Sequence, residues 1–212
     1  MRSLNENPRP SRLRWRAFVS VAAAFASACA SSGATRPASL AVRDANGFTI
    51  TEKVRVDSEV RDKFGRAVRM LEQEQTEGGI ELLVEVTEAA PDLTAAHIDL
   101  GIARARANDL ERAEASLKRA LELDPRHPVV YNELGILYRR MGRFADARRS
   151  YDQALALYPE FHFARRNLAI LCDLYLADAG CALEHYGVYI QAVPDDEAAA
   201  IWIADLRSRA GQ

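Results

Sequence analysis

The feature that most constrains the fold is a set of residues that recurs about every 34 positions. Four prolines, Pro91, Pro125, Pro159 and Pro194, are separated by steps of 34, 34 and 35 residues. Other residues repeat with the 34-residue step, namely Leu100 and Leu134, Gly101 and Gly135, Ala113 and Ala147, Leu117 and Tyr151, and Ala120 and Ala154. A period of about 20–50 residues is typical of arrays in which each unit packs on its neighbours. The sequence therefore predicts a repeat architecture.

Each unit has the pattern of two helices joined by a turn. In the third unit the first helix is predicted to run to about Met141, and Gly142 to end it in a left-handed backbone conformation. A second helix begins at Phe144, and Pro159 closes the unit. Small residues such as Gly135 allow the two helices to approach closely. Because one helix pair cannot bury its own apolar face, neighbouring pairs are expected to stack.

The third unit resembles the tetratricopeptide repeat (TPR) family at almost every signature position. The matching residues are Tyr131, Leu134, Gly135, Tyr138, Gly142, Ala147, Tyr151, Ala154 and Pro159. The resemblance implies an all-α helix-turn-helix solenoid of about four repeats over 58–212. The predicted units are 60–93, 94–127, 128–161 and 162–196, followed by a capping helix over 197–210. Ala67 and Ala169 replace glycine in the outer units, as expected for the ends of an array.

The N-terminal 28 residues have the pattern of an export signal. Five arginines, at positions 2, 9, 12, 14 and 16, precede an apolar stretch over 17–28. A basic segment followed by about 7–15 apolar residues is typical of a secretory signal. A stretch of this length is too short to cross a bilayer, which takes about 20 residues. We therefore expect residues 1–28 to be removed on export.

The signal ends in Ala26-Ser27-Ala28-Cys29, which resembles the lipobox of bacterial lipoproteins, with Ala26 in place of the usual Leu. The resemblance implies that Cys29 becomes the lipidated, palmitate-bearing N-terminus of the mature chain. Ala30, in place of Asp, implies sorting to the outer membrane, facing the periplasm. The alternative is an ordinary signal peptide cut after Ala28, with Cys29 as an incidental thiol. Both interpretations export the protein.

Residues 29–57 are expected to carry the lipidated cysteine and a flexible tether. From Ala30 to about Ala45 the chain is rich in Ser, Ala, Gly, Thr and Pro, which offers too little apolar surface to fold. The next stretch, from Phe48 to Val56, partly alternates apolar and polar residues and has many β-branched ones, so an extended segment is predicted there. That segment is expected either to lie along the first helices or to pair with a strand of another protein.

The sequence contains none of the usual catalytic motifs. It lacks His-Glu-x-x-His, Gly-x-Ser-x-Gly, a phosphate-binding glycine loop and Cys-x-x-Cys, so we predict no enzyme activity. The four histidines lack chelate spacing, so we predict no metal and no cofactor, and we assign His127 and His162 to turns or packing. The net charge of −2, from 28 basic and 30 acidic residues, argues against nucleic acid as a partner.

Cys172 and Cys181 remain as a pair if Cys29 is the lipid anchor. In the repeat their positions face each other across the helix pair of the fourth unit, and the exported compartment permits disulfides. A disulfide between them is one prediction. The alternative is that both are small apolar side chains, because the repeat favours a small residue near Cys181.

A non-catalytic solenoid is expected to act through its concave surface, which is lined mainly by the first helix of each pair. The repeat register projects fourteen residues toward this groove: Phe64, Val68, Ile98, Asp99, Ile102, Asn132, Glu133, Ile136, Arg139, Arg140, Phe163, Arg166, Asn167 and Ile170. An apolar floor with a rim of arginine and asparagine suits an extended or helical peptide. Arg139, Arg140 and Arg166 are expected to hold a carboxylate by bidentate contact.

The resemblance favours an adaptor lipoprotein that binds another envelope protein and assists assembly, as the pilotins of pilus secretins do. Some chaperone-binding members of the family clamp a C-terminal carboxylate with Lys and Asn. Ile98, Asp99 and Ile102 stand at corresponding positions here, so that clamp is not predicted. The alternative function is a periplasmic module that binds peptidoglycan or another glycan, or that accompanies an enzyme.

Overall fold

The computed structural model describes residues 39–43, 47–51 and 56–211. The predicted export signal, Cys29 and most of the predicted tether lie outside the described residues. Two short strands precede a series of helices that begins at Ser58.

The strands form an antiparallel hairpin of β1 (Ser39–Arg43) and β2 (Gly47–Thr51). The register places Leu40 opposite Ile50 and Val42 opposite Phe48. The extended segment predicted from Phe48 is thus a strand, and it pairs with the chain itself rather than with either expected partner. Its partner, β1, falls within the stretch that composition assigned to the tether, where Val42 is a residue type enriched in strands.

Nine helices follow in the described part of the chain. They are α1 (Ser58–Glu72), α2 (Thr76–Ala89), α3 (Thr94–Arg106), α4 (Leu110–Leu123), α5 (Pro128–Arg140), α6 (Phe144–Leu157), α7 (His162–Leu174), α8 (Ala179–Ala192) and α9 (Glu197–Ala210). The first eight form four pairs, and α9 packs on α8 at the end of the stack. The predicted all-α solenoid of four helix pairs and a capping helix is confirmed. None of the described helices is long and apolar enough to cross a membrane.

The turn inside each pair uses one residue with a positive φ. These residues are Glu74 (63°), Asn108 (65°), Gly142 (73°) and Ala177 (52°). They follow the 34-residue period, with one extra residue in the fourth unit. Glycine adopts this left-handed conformation without steric strain, whereas Ala177 and Glu74 carry a Cβ that disfavours it. The turn geometry is therefore a property of the repeat and not of the residue that occupies it.

Close helix approach depends on small residues in the first helix of the middle pairs. A Cβ added to Gly135 would lie 2.4 Å from Cε1 of Tyr151, a fully buried ring on α6. A Cβ added to Gly101 would lie 2.7 Å from Cγ of Leu117 on α4. These glycines thus open the space into which the large side chain of the second helix fits.

The main hydrophobic core runs along the stack from α3 to α9. Ile203 and Leu206 close its C-terminal end from α9, and Leu206 is only 2% exposed. The opposite face of α9 leaves Ile201 67% exposed. The capping helix is therefore amphipathic, with one side in the core and one side in solvent.

Candidate functional site

The first helices of neighbouring pairs lie side by side and touch: α1 contacts α3, α3 contacts α5, and α5 contacts α7. Successive second helices do not pack on each other in this way. A stack that is tighter on one side curves toward that side, so α3, α5 and α7 line the concave surface. We call the concave surface of these three helices the groove.

Three isoleucines at one repeat position follow the groove. Ile102, Ile136 and Ile170 are half-buried and pack against the main core. Ile98 differs from this row, because it is only 1% exposed and belongs to the core itself. Ile98 therefore lies in the core and not on the groove surface, where the repeat register predicted it. Phe163 is half-buried at the start of α7, where its ring packs edge-on against Phe161.

Two buried asparagines join the third and fourth units at the base of the groove. Asn167 Nδ2 on α7 donates to Asn132 Oδ1 on α5 at 2.9 Å. Asn132 Nδ2 in turn donates to Glu133 Oε1 at 3.0 Å. Both asparagines are buried, so they position Glu133 and the two helices instead of presenting free amides to a partner.

Two carboxyl groups at equivalent repeat positions lie in this groove. Burial raises the pKa of Glu133 to about 7, and the hydrogen bond from Asn132 and the charge of Arg106 only partly oppose it. Burial also raises the pKa of Asp99 to about 7, and the neighbouring charge of Glu133 adds to that rise. The groove therefore holds two carboxyls that are poorly solvated and that repel each other when both ionise.

The predicted groove arginines have different surroundings. Arg140 donates from Nη1 to the Ala105 carbonyl, and from Nη2 to Asn108 Oδ1 at 3.2 Å, so its side chain ties α5 to the end of α3 and the following turn. Arg166 lies 3.8 Å from Asp196 Oδ2 and stacks over Tyr189. Neither guanidinium is left without an acceptor or a counter-charge.

Arg139 is different, because no carboxylate in the described part of the chain forms an ion pair with it. Its guanidinium carbon lies 5.5 Å from the centre of the Tyr175 ring, and Nη1 is 3.4 Å from the Tyr175 hydroxyl. Its Nε, like that of Arg166, is buried without a hydrogen-bond partner, so what sets Arg139 apart is the lack of an ion pair. Burial raises the pKa of Tyr151 to about 12, and Arg139 is the first charge to oppose that rise. Arg139 thus joins a buried phenol on α6 to an exposed phenol after α7.

Sequence reasoning did not find Tyr175. This residue follows α7, in the turn where the fourth unit gains its extra residue, so the repeat register does not project it anywhere. The structure packs its ring 5.0 Å from that of Phe144, centroid to centroid. A search for aromatic residues near the insertion would have identified it.

The turn that carries Tyr175 is closed by a disulfide between Cys172 at the end of α7 and Cys181 in α8, whose Cα atoms lie 5.9 Å apart. The carboxylate of Asp178 inside this loop accepts a hydrogen bond from the Cys181 backbone N–H at 3.0 Å. The structure thus has a disulfide between the two cysteines for which the sequence left two alternatives open.

Metal-binding geometry is absent from the described residues, where no group of three His, Cys, Asp or Glu converges. His127 is buried at the start of α5, and burial lowers its pKa to about 4. His162 is half-buried, with its ring 4.2 Å from that of Phe163. Both histidines therefore lie in packing environments at repeat boundaries.

These features define a helical repeat domain with a charged concave groove. Residues 92–160 match the family model described as tetratricopeptide repeat. These residues belong to the tetratricopeptide repeat family. Domains of this family generally mediate protein–protein interactions and are typically non-catalytic scaffolds.

Two solved structures illustrate the similarity of fold. The pilF protein of Pseudomonas aeruginosa has 23% sequence identity and a TM-score of 0.66, and the match covers 72% of this chain and 69% of that one. MamA from Desulfovibrio magneticus RS-1 has 16% identity and a TM-score of 0.66, with coverage of 74% and 88%. At these identities the comparison shows the fold alone.

A curated relative, a protein O-mannosyl-transferase of Caenorhabditis elegans, is 32% identical over 89 residues. The match covers 42% of this chain and only 13% of that protein. The chain therefore spans about one eighth of the relative's length, so the similarity carries no transferase activity to this protein.

Proposed function

We propose that this protein is a non-catalytic adaptor whose groove binds a segment of another envelope protein. One observation carries the proposal: the groove holds charged groups that the rest of the fold neutralises only in part. Asp99 and Glu133 are carboxyls in a poorly solvated place, and Arg139 has no ion-pair partner among the described residues.

Such groups weaken a fold unless a bound molecule completes their surroundings. Burying a polar or charged group without a partner is unfavourable, and strongly shifted pKa values cluster at functional sites. The isoleucine row formed by Ile102, Ile136 and Ile170 provides apolar surface beside these charges. A peptide segment with both apolar and charged side chains matches that combination.

The proposal includes export and membrane attachment. The basic and apolar pattern of residues 1–28 and the lipobox resemblance at Cys29 support a lipoprotein held at the periplasmic face of a bacterial outer membrane. A pilotin-like role in assembling pili or a secretion channel is the particular form we propose. The resemblance of the repeats and the structural likeness to pilF of Pseudomonas aeruginosa support that form.

In-cell photo-crosslinking tests the groove. Probes at Ile102 and Ile136 are expected to give a discrete protein adduct, because both residues lie half-buried on the concave surface. Arg149 on α6 is the matched control, since its side chain is 72% exposed and pairs with Asp146 outside the groove. Equal adducts at all three positions, or none at any, would contradict the proposal.

Lipid attachment is tested by labelling bacterial cells that express the full chain with radioactive palmitate. We expect label in the wild-type protein and none in Cys29→Ala, with the label in the membrane fraction. Label that persists in Cys29→Ala, or an exported wild-type protein without label, would favour the ordinary signal peptide.

A glycan-binding function is the alternative, and it is favoured by one observation. Tyr175 is 42% exposed beside Arg139, and an exposed ring next to a guanidinium is a combination that can stack on and hydrogen-bond to a sugar. Titration of the purified protein with muropeptides tests it by calorimetry. Binding heat that disappears in Tyr175→Ala would support the alternative, and its absence in the wild-type protein would remove it.

A further inference from the structure

Arg139 differs from the other arginines of the third and fourth units. The partners of those arginines are Ala105 and Asn108 for Arg140, Glu114 and Asp146 for Arg143, Asp146 for Arg149, Asp152 and Asp178 for Arg148, Pro159 for Arg165, and Asp196 for Arg166. Arg139 contacts the Tyr175 phenol, at the long distance of 3.4 Å, the Tyr175 ring and the buried Tyr151 phenol. Its positive charge is therefore the one in this set that has neither an acid nor a carbonyl as an acceptor within the described residues.

The equivalent position of the next repeat shows which kind of contact a charged side chain forms there. Asp173 lies 34 residues after Arg139, at the equivalent point of α7. Its carboxylate binds Arg209 of α9 at 2.9 Å, and the Asp173 side chain is 5% exposed. In the fourth unit, then, the position forms an ion pair with the next element of the stack. In the third unit the next element, α7 with the turn that follows it, offers Arg139 the Tyr175 phenol and no carboxylate.

A second phenol lies beside Arg139. Tyr151 is inaccessible to solvent, and Arg139 opposes the rise in its pKa both by its charge and by a side-chain hydrogen bond. The Tyr151 hydroxyl therefore helps to hold the guanidinium in place and is itself out of reach of a partner. Two phenols leave the guanidinium without a negatively charged acceptor, and a guanidinium is well suited to bind a carboxylate.

The surface around Arg139 is apolar and held in place. The Tyr175 ring packs against Phe144, and Leu174 next to it is 66% exposed. The disulfide between Cys172 and Cys181 closes the turn that carries both residues. A partner segment that places a carboxylate on Arg139 therefore meets apolar side chains immediately beside it.

We infer that Arg139 is the anion-binding subsite of the groove and that it takes the side-chain carboxylate of an acidic residue within an extended, apolar partner segment. The inference rests on the proposed peptide-binding function. A side chain is favoured over a chain end because the isoleucine row continues on both sides of α5, to Ile102 on α3 and to Ile170 on α7, which leaves apolar surface for a segment that extends in both directions.

The test begins with a display library of random 12-residue peptides, each followed by a constant C-terminal sequence, selected on the full chain in its oxidised form. We expect the wild-type protein to enrich peptides with Asp or Glu at one internal position next to an apolar residue. Arg139→Met is expected to lose the acidic preference, whereas Arg149→Met keeps it, because Arg149 lies outside the groove on α6.

Affinities measured by fluorescence anisotropy then test the contact directly. Replacing the enriched Glu by Gln is expected to weaken binding to the wild-type protein about tenfold, as for loss of one hydrogen-bonded charge. The same change is expected to have less than about a twofold effect on Arg139→Met. Tyr151→Phe removes only the hydroxyl and is expected to weaken the acidic peptide more than the Gln peptide.

The outcomes separate this inference from the proposed function. Enrichment without an acidic preference, or a preference unchanged in Arg139→Met, overturns the subsite and leaves the peptide-binding groove intact. A library without the constant sequence that enriches only C-terminal acids overturns the choice of a side chain. Failure of both libraries to enrich any peptide counts against the proposed peptide-binding function itself.

Discussion

At the scale of single residues, the helix contacts limit side-chain size and the groove changes the ionisation of its carboxyls. Gly135 shows the limit on size, because the Tyr151 ring occupies the space where any Cβ would stand. Glu133 shows the effect on ionisation, because its carboxyl lies in a place that favours the neutral form. Substitutions at these two residues therefore test packing and electrostatics separately.

Gly135→Ala is expected to lower the free energy of unfolding by about 1–3 kcal/mol, the usual effect of overpacking a core. The added Cβ would lie 2.4 Å from the buried Tyr151 ring, which has no room to move. Urea denaturation measures the effect. Gly187→Ala on α8 is the matched control, since a Cβ there meets nothing within 4 Å and alanine favours a helix, so a small gain is expected. Equal effects at the two glycines would contradict the close-approach explanation.

Glu133→Gln is expected to stabilise the protein at pH 8 and to have little effect at pH 4.5. The folded-state pKa of Glu133 is raised to about 7 from 4.5, so its contribution to stability is present at low pH and is lost as the pH rises through 7. The gain at pH 8 is on the order of 1–3 kcal/mol. Thermal denaturation across this pH range measures it, with the exposed Glu81→Gln as control. A pH-independent difference from wild type would contradict the assignment.

At the scale of helices and turns, the 34-residue period predicted that the second, third and fourth units begin at residues 94, 128 and 162, where the structure has the first residues of α3, α5 and α7. It succeeded because the turn after each first helix needs one left-handed residue, and these residues recur with the same step. The period could not show which side chains reach the groove. Arg140 begins on the predicted face, but its long side chain bends back to Ala105 and Asn108. Tyr175 escaped prediction because the extra residue of the fourth unit breaks the register.

The position of Ile98 illustrates a further limit at this scale. Ile98, Asn132 and Arg166 share one repeat position, and the structure shows that it lies between adjacent first helices rather than on the open surface. Ile98 fills the space with apolar atoms, Asn132 uses it for a buried hydrogen bond, and Arg166 reaches out to Asp196. Register gives the direction of a Cβ, and the chemistry of the side chain decides its final contacts.

Ala177→Gly is expected to raise the free energy of unfolding by about 0.5–1 kcal/mol. Ala177 has a φ of 52°, which an L-residue adopts only with strain and glycine adopts freely. Chemical denaturation measures the gain. Ala156→Gly, at an exposed position within α6, is the control and should lower stability by about 1 kcal/mol. Destabilisation by both substitutions would contradict the strain at Ala177.

The disulfide is expected to be visible in a thiol count on the unlipidated full chain. The sequence has three cysteines, so one thiol is expected before reduction and three after it. Reduction is expected to lower the free energy of unfolding by about 2–3 kcal/mol, the loop-closure contribution for a short loop. Three free thiols in the non-reduced protein would show that Cys172 and Cys181 are only small apolar side chains.

At the scale of the whole molecule, each unit is stabilised mainly by the units next to it. In a solenoid each unit contacts only its neighbours, so a destabilising substitution at one end has little effect on distant units. The helix α9 covers the C-terminal end, with Ile203 and Leu206 turned into the core. The N-terminal units contact it only through the units between them.

Leu206→Ala is expected to remove about 2–4 kcal/mol locally, because the side chain is almost fully buried. Hydrogen exchange should become faster in α8 and α9 and stay unchanged in α3 and α4. Ile201→Ala on the exposed face of α9 is the control and should leave exchange as in the wild type. Uniform acceleration along the chain would show that the solenoid unfolds as one cooperative unit.

The amide chain from Asn167 through Asn132 to Glu133 also makes two neighbouring joints of the solenoid respond differently to pH. The third and fourth units are tied at the base of the groove by a buried 2.9 Å hydrogen bond between neutral amides, whereas the second and third units bring Asp99 and Glu133 close enough to repel when both ionise. Arg140 and Arg143 also join the second and third units, so this repulsion acts against contacts that hold the joint closed. A rise in pH through 7 would therefore change the spacing of the second and third units and leave that of the third and fourth units as it is.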